Sequence, residues 1–513
     1  MNQLFVMKKF FHYSIILVLL ASCGAIRNVS NPGSDSKLSV NLILINDVYE
    51  IAPLSGGKEG GMARVATLKK QYQQLNPNTF LLVAGDFLSP SLYNSLMYEG
   101  KAIRGRQMVE AMNAAGVDMV TFGNHEFDIR ENELQARIDE SAFQWISSNV
   151  FHKTGNKISA FGTSGGSTIP KTHILDLKDA DGTEARIAVI GLCLPFNRAE
   201  YVHYDDALSV AKNLYEQLKD SVDAVVALTH QTMEEDKRLA REIPGLALIL
   251  GGHEHDQRFE KEGKVYITKA MANAKSAYVV ELTINKKKNR TKALPKLEII
   301  NERISLDSVT NQVVQKWSAV AEKSFALSGF QANRIVMEKG EDLDGREAYI
   351  RTRPTNLSRL IVASLQAAHP LAQVSLFNSG SIRVDDILHM PLTEYDILRT
   401  LPFGGGIKEV DMKGGLLTRV LDQSEKNIGS GGFLIYNEEL SKASGNWQIK
   451  NELIDPDKNY RVVMPEFLLT GKEVNLQFLN EGNPAITRIY ETATAGSFTR
   501  DIRHVLIQYL AKK

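Results

Sequence analysis

An α/β fold built on parallel strands is what this 513-residue sequence predicts, on three observations. Apolar runs of strand length at 37–45, 79–84 and 117–122 each end in a polar cluster. Segments of helical spacing separate them; in 62–75, Val65, Leu68, Tyr72 and Leu75 share one face. The polar clusters repeat one chemistry, with Asp47 after the first run, Asp86 after the second and Asn124-His125 after the third. Open α/β sheets bind ligands just beyond the carboxyl ends of their strands, which is where these residues fall.

Length sets a prior of two to four domains, and 43% hydrophobic with 23% charged residues is ordinary for globular cores. Sixty basic and sixty acidic residues give a formal net charge of zero, so bulk electrostatic binding to a nucleic acid polymer is not expected.

The chain opens on Lys8 and Lys9, an apolar stretch to Leu20, then Leu20-Ala21-Ser22-Cys23. That core is too short to span a bilayer and reads as a signal peptide. The tetrapeptide resembles a bacterial lipobox, which implies cleavage after residue 22 and lipidation of Cys23. Residues 1–22 are therefore expected to be a leader. Residues 23–37, rich in Ser, Gly, Asn and Pro, are expected to be a tether. The mature protein is expected in the bacterial cell envelope, periplasmic or surface-facing, touching the membrane only through its lipid. Cys193 is the one other cysteine, so no disulfide framework exists; its apolar run (187–193) predicts a packed thiol.

Taken in order, 37–45 is a strand whose end carries Asp47, a metal ligand or a turn cap. The glycine-rich loop 56–61 lacks the G-K-[ST] of a phosphate-binding loop and reads as a turn near the site. Residues 79–84 form a strand ending in Gly85-Asp86. Residues 103–116 form a helix stopped by Gly116. Residues 117–122 lead into Gly123-Asn124-His125-Glu126-Phe127-Asp128, where Asp128 can hold the His125 imidazole in one tautomer. A helix at 131–140 and strands at 143–149, 187–191, 222–228 and 246–250 follow. The last two end in Thr229-His230 and in Gly251-Gly252-His253-Glu254-His255-Asp256.

The strand ends thus collect Asp47, Asp86, Asn124, His230, His253 and His255, with His125 beside them. Carboxylate, amide oxygen and imidazole together suit Mn, Fe, Zn or Co rather than calcium. Six or seven donors exceed one tetrahedral zinc and fit two ions about 3.5–4 Å apart, bridged by a carboxylate and a hydroxide.

This order of motifs resembles the calcineurin-like metallophosphoesterases: an Asp motif, Gly-Asp, Gly-Asn-His-[Asp/Glu], a single His, then Gly-His-x-His. The resemblance implies a four-layer αββα domain over 38–300. It implies that Asp86 bridges two divalent ions, that Asp47 and His255 hold one, and that Asn124, His230 and His253 hold the other. His125, oriented by Asp128, would act on the phosphoryl group. One departure is Asp47-Val48-Tyr49, where the family has Asp-x-His; Tyr49 could ligate as a phenolate, give way to water, or pack.

Residues 285–292 read as a hairpin-like turn and 309–327 as a connecting helix, placed in a linker over 301–330. Beyond it stand Arg351-Thr352-Arg353, Asn378-Ser379-Gly380-Ser381-Ile382-Arg383 and Leu401-Pro402-Phe403-Gly404. These are similar to the C-terminal domain of the 5′-nucleotidase family, which includes UDP-sugar hydrolases and 2′,3′-cyclic phosphodiesterases. The resemblance implies a smaller α+β substrate-binding domain over 331–513. Arg351 and Arg383 suit phosphate, Asn378 and Gly380 allow close approach, and Phe403 offers a stacking face. Surface charge for the arginines and core packing for Phe403 are the plainer alternatives. The family's second aromatic is absent from Gly471-Lys472-Glu473-Val474-Asn475, and Tyr436 or Phe478 could stand in. The implied activity is phosphate release from nucleotides. The alternatives are a cyclic-nucleotide phosphodiesterase or UDP-sugar hydrolase on the same scaffold, or a surface protein that binds without turnover.

Overall fold

The computed structural model describes residues 35–196, 198–490 and 501–513. Cys23, the leader and most of the expected tether lie outside the described residues.

Two six-stranded sheets form the first domain. One runs, in spatial order, Arg290–Ile299, Ser276–Asn285, Lys37–Ile45, Thr79–Ala84, Met119–Thr121 and Gln144–Ile146. The other runs Arg258–Glu262, Val265–Lys269, Leu248–Gly251, Ala224–His230, Glu184–Cys193 and Thr172–Lys178. The central strands of both are parallel. Period-two alternation sends side chains to opposite faces of a strand. Leu38, Val40, Leu42 and Leu44 accordingly pack between the sheets, while Ile43 and Ile45 pack outward with Val65, Leu68, Met108 and Met112. On the other sheet Val226 and Leu228 face inward, and Val225 and Ala227 pack beneath Leu239 and Ala240. Helices Met62–Leu75 and Arg106–Ala115 cover one sheet, and Ala207–Leu218 and Met233–Glu242 the other, which gives the αββα order.

The helix expected at 103–116 starts at Arg106, because Gly105 takes a left-handed φ of 83°. Its end matches: Gly116 at φ 70° caps it, its N–H donating a hydrogen bond to the Asn113 carbonyl. Helix Ser308–Leu327, expected as a connector, lies against the first domain. Trp317 is fully buried, its indole N–H donates to Glu110 at 2.9 Å, and Lys316 pairs with the same carboxylate at 2.8 Å.

The second domain holds a five-stranded sheet in the order Leu434–Tyr436, Val374–Asn378, Asn459–Pro465, Ile407–Lys413, Ile486–Tyr490. Helix Gly414–Lys426 packs on one face through Leu417, Val420 and Leu421; helices Asn356–Ala368 and Ile502–Leu510 pack on the other through Ile361, Leu365 and Leu506. The domains meet through polar pairs beside the site. The Tyr395 hydroxyl donates to buried Glu50, and Lys275 pairs with Asp386 at 2.7 Å.

Candidate functional site

The expected ligands converge at the carboxyl ends of the parallel strands. Three of them take left-handed backbone: Asp47 at φ 52°, Asp86 at φ 55° and His253 at φ 84°. Such conformations cost about 1–3 kcal/mol each and gather where function demands them. Neighbouring glycines allow the crowding. A Cβ on Gly123 would stand 2.2 Å from Asp86 Oδ1, and one on Gly252 would stand 2.3 Å from the Ala84 carbonyl.

One side chain ties two of the motif loops together. Glu126 is fully buried and accepts four backbone N–H bonds, from Asp86, Phe87, Leu88 and Gly123, at 2.6–3.0 Å. Burial pushes its carboxyl up to about 7, helped by the Asp86 charge and opposed by the amide donors. The loop around His253 and His255 is anchored in the same way. Glu254 between them accepts from the Met233 amide at 2.6 Å and from buried Lys269 at 2.5 Å, and Lys269 also pairs with Asp236 at 2.9 Å.

Asp47, Asp86 and His230 are buried, with one ligand atom from each lying within 4.8 Å of the others. His230 donates Nδ1–H to the Ala84 carbonyl at 2.7 Å, which leaves the Nε2 lone pair facing Asp86 Oδ2 at 3.0 Å. Two lone pairs at that distance repel unless a proton or a cation lies between them. Asn124 Oδ1 is also buried without a hydrogen-bond partner. A proton on His230 Nε2 or a cation in its place meets the need at His230, and the orphaned Asn124 oxygen beside two buried carboxylates fits the cation.

Asp86 occupies the middle. Its Oδ1 accepts the His125 amide at 2.7 Å, and its Oδ2 lies 3.0 Å from His230 Nε2 and 3.4 Å from the Tyr49 hydroxyl. Burial alone would raise its carboxyl, but the His230 and His125 imidazoles hold it well below the usual carboxylate range. Burial works against protonated His230, yet Asp86 lifts it to about 9. Asp47 accepts the His253 amide at 2.9 Å. His253 itself is lowered, by burial first and then by His230. Burial, then the Asp86 and Asp47 charges, push the Tyr49 phenol well above its ordinary value.

His125 lies at the rim with about a third of its side chain exposed, its Nδ1 2.6 Å from Asp128 Oδ2. Burial disfavours its cation, but the Asp128 hydrogen bond and the Asp86 charge overcome that and raise it to about 9. It therefore carries a proton at neutral pH and can donate it.

The second domain reaches this centre directly. Asp385 takes a positive φ of 37° and accepts from His255 Nδ1 at 2.8 Å, which turns Nε2 toward Asp47 and Tyr49. Asp385 was not among the expected site residues. Its signal was its place two residues after Arg383. Replacing Asp385 with asparagine is expected to weaken metal retention by about tenfold to a hundredfold, the usual cost of losing the carboxylate behind a ligating histidine. Titration of the chelator-stripped protein checks it, and unchanged affinity would remove Asp385 from the centre.

The expected substrate residues gather in a cavity of about 820 Å³ in the second domain. Arg351, Asn378, Gly380, Arg383 and Phe403 all line it. Arg351 is buried, its Nε 3.2 Å from Glu347, with Nη1 making no hydrogen bond. Phe403 is 69% exposed, not core, and Arg383 lies over its ring at 5.4 Å. Neither Tyr436 nor Phe478 supplies a second aromatic: Tyr436 packs edge-on against Trp447, and Phe478 lies under Arg419. Phe467 lines the cavity instead and is 41% exposed. It was legible only as the aromatic following Pro465-Glu466. Glu473 also lines the cavity and accepts from Asn378 Nδ2 at 2.7 Å.

Sheets, strand-end ligands and this second cavity define a phosphoesterase scaffold built to hold metal. Residues 40–257 match the family model of the calcineurin-like phosphoesterases, and residues 336–481 match that of the 5′-nucleotidase C-terminal domain. The chain belongs to the calcineurin-like phosphoesterases that carry a 5′-nucleotidase C-terminal domain, a family that hydrolyses phosphoric esters with divalent metal ions. It is 25% identical to the 5′-nucleotidase of Bos taurus, over 80% of this chain and 78% of the relative. It is 24% identical to the protein UshA of Yersinia enterocolitica, over 93% of this chain and 92% of that one. The crystal structure of a 5′-nucleotidase precursor from Thermus thermophilus shares the fold, with a TM-score of 0.62, 24% identity, and coverage of 93% of this chain and 96% of that one.

Proposed function

We propose that this protein removes phosphate from nucleotides at a centre of two divalent ions, and that it does so as a lipid-anchored protein of the bacterial cell envelope. One observation carries the catalytic reading. A single stretch, 378–386, lines the cavity through Asn378, Gly380 and Arg383 and touches the metal ligand His255 through Asp385. One loop thus connects the substrate cavity with the candidate metal centre. The anchor rests on Lys8, Lys9, the apolar core and Leu20-Ala21-Ser22-Cys23.

Asp47 and His255 would hold one ion, Asn124, His230 and His253 the other, with Asp86 between them. Two ions there would supply Lewis acidity and a nucleophile from water at neutral pH. Arg351 and Arg383 offer planar donors to phosphate oxygens. Asn378 and Glu473 offer a donor and an acceptor to ribose hydroxyls or to a base edge. Phe403 and Phe467 offer faces to a base, worth about 1–3 kcal/mol per stack. Protonated His125, held by Asp128, stabilises charge on the phosphoryl group and gives its proton to the departing oxygen.

Arg383→Ala tests the substrate half. It is expected to lower kcat/KM for AMP by about tenfold more than kcat/KM for a small aryl phosphate, since a charge-assisted bond is lost only where a nucleotide reaches the cavity. Equal losses on the two substrates would mean that Arg383 does not read the nucleotide.

A further inference from the structure

Tyr49 departs from the Asp-x-His pattern, and its side chain does not turn away from the centre. It is 9% exposed, with its hydroxyl among the ligand atoms expected of the first ion. The oxygen lies 3.0 Å from His255 Nε2, 3.3 Å from Asp47 Oδ1 and 3.4 Å from Asp86 Oδ2. His255 Nε2 and Asp47 Oδ1 are themselves 3.5 Å apart.

A hydrogen bond to His255 Nε2 at 3.0 Å satisfies the phenol proton, but it does not set the distances of the same oxygen from Asp47 and Asp86. A phenol donates one proton, and an O–H···O bond to a carboxylate settles near about 2.7 Å. Here the oxygen stands further than that from two carboxylates at once. Shared coordination does account for it. Four donors each about 2.0–2.2 Å from one ion at tetrahedral angles stand about 3.3–3.6 Å from one another, and less at octahedral angles. The separations of 3.3, 3.4 and 3.5 Å match the tetrahedral value, and the 3.0 Å between Tyr49 and His255 matches the shorter octahedral one. The backbone fixes the arrangement, since the Tyr49 amide donates to Asn273 Oδ1 at 3.3 Å and the Asn273 amide donates to the Asp47 carbonyl at 2.9 Å. Asp385 aims His255 at the same point from the other side.

We propose that the Tyr49 phenolate oxygen is a ligand of the first ion, beside Asp47, Asp86 and His255. The assignment rests on the metal-dependent reading of this centre. Binding exchanges the phenol proton, which leaves to solvent, for the cation. The resulting set has three anionic donors and one neutral imidazole. It carries one more negative charge than a set with histidine at this position, so it favours ferric iron over zinc, manganese or ferrous iron at this position.

The test loads the chelator-stripped protein with ferric iron. Metal content, visible absorption and resonance Raman spectra are then recorded for the wild type, Tyr49→Phe and Tyr49→His. Wild type is expected to show a phenolate-to-iron charge-transfer band with enhanced phenolate ring modes. Tyr49→Phe is expected to lose the band and to bind iron about tenfold or more weakly. Tyr49→His keeps a metal-binding side chain, covers the case in which the Phe variant does not fold, and is expected to bind metal without the band. A band that survives in either variant overturns the assignment. So does iron-loaded wild type without a band, which leaves the metal centre standing. Wild-type protein that retains no iron, zinc or manganese overturns both the assignment and the metal-dependent function.

Discussion

Asp86→Asn is expected to lose bound metal and to lower phosphate release by about a thousandfold or more, the scale of removing a group that both holds the ions and shapes the charge at the reacting centre. The substitution preserves volume, which matters because Gly123 lies against this side chain. It changes what Oδ2 presents. The carboxylate oxygen now faces His230 Nε2 at 3.0 Å and Tyr49 at 3.4 Å, one from each half of the centre. An amide nitrogen there would donate to the His230 lone pair and satisfy it, so the pull on a cation would be lost from both halves. Elemental analysis beside an activity assay checks this. A variant with two ions per chain would mean that Asp86 is not the bridge.

His125→Ala is expected to behave differently. Turnover should fall by about a hundredfold to a thousandfold, the range for a lost general acid or charge-stabilising donor, while metal content stays at the wild-type level. The separation follows from geometry. The His125 side chain is paired with Asp128 at the rim, and only its backbone amide touches Asp86. The alanine variant keeps that amide, so the Asp86 carboxylate stays oriented. Measuring kcat and metal content on the same samples decides it. Unchanged turnover would take His125 out of the mechanism, and lost metal would make it a structural residue.

Much of the catalytic domain was legible because its strands are buried on both faces and end at glycine or a short polar turn. Helix Met62–Leu75 and strands Lys37–Ile45 and Thr79–Ala84 fall where apolar period and flanking residues put them. The central strand is shorter than its apolar run. Only Met119–Thr121 pairs in the ladder with Leu82–Ala84, while Val117 and Phe122 are buried outside it. Apolarity reports burial, not pairing.

The site divides in the same way. Ligands that follow strands were legible, since a parallel sheet gathers its carboxyl ends. Contacts that depend on how two domains meet were not. His255 and Asp385 are 130 residues apart, and no local pattern joins them. Residue type alone offers Tyr436 and Phe478 as the second aromatic in place of the altered glycine motif. Their neighbours Trp447 and Arg419 hold them elsewhere, and the turn after Pro465 brings Phe467 to the cavity. Glu126 is legible as part of its motif, but its work, gathering four amides, is visible only once two loops are seen together.

The most direct test of the account is phosphate release from a nucleotide by chelator-stripped protein, before and after Mn, Zn, Co or Fe is restored. AMP, ADP, ATP, UDP-glucose, 2′,3′-cyclic AMP and an aryl phosphate form the panel, with His125→Ala as the control. The account predicts no release from the stripped protein, release from at least one nucleotide when metal returns, and loss of that release in the control. Metal-loaded protein that turns over none of these esters, or that is equally active with and without metal, would contradict it.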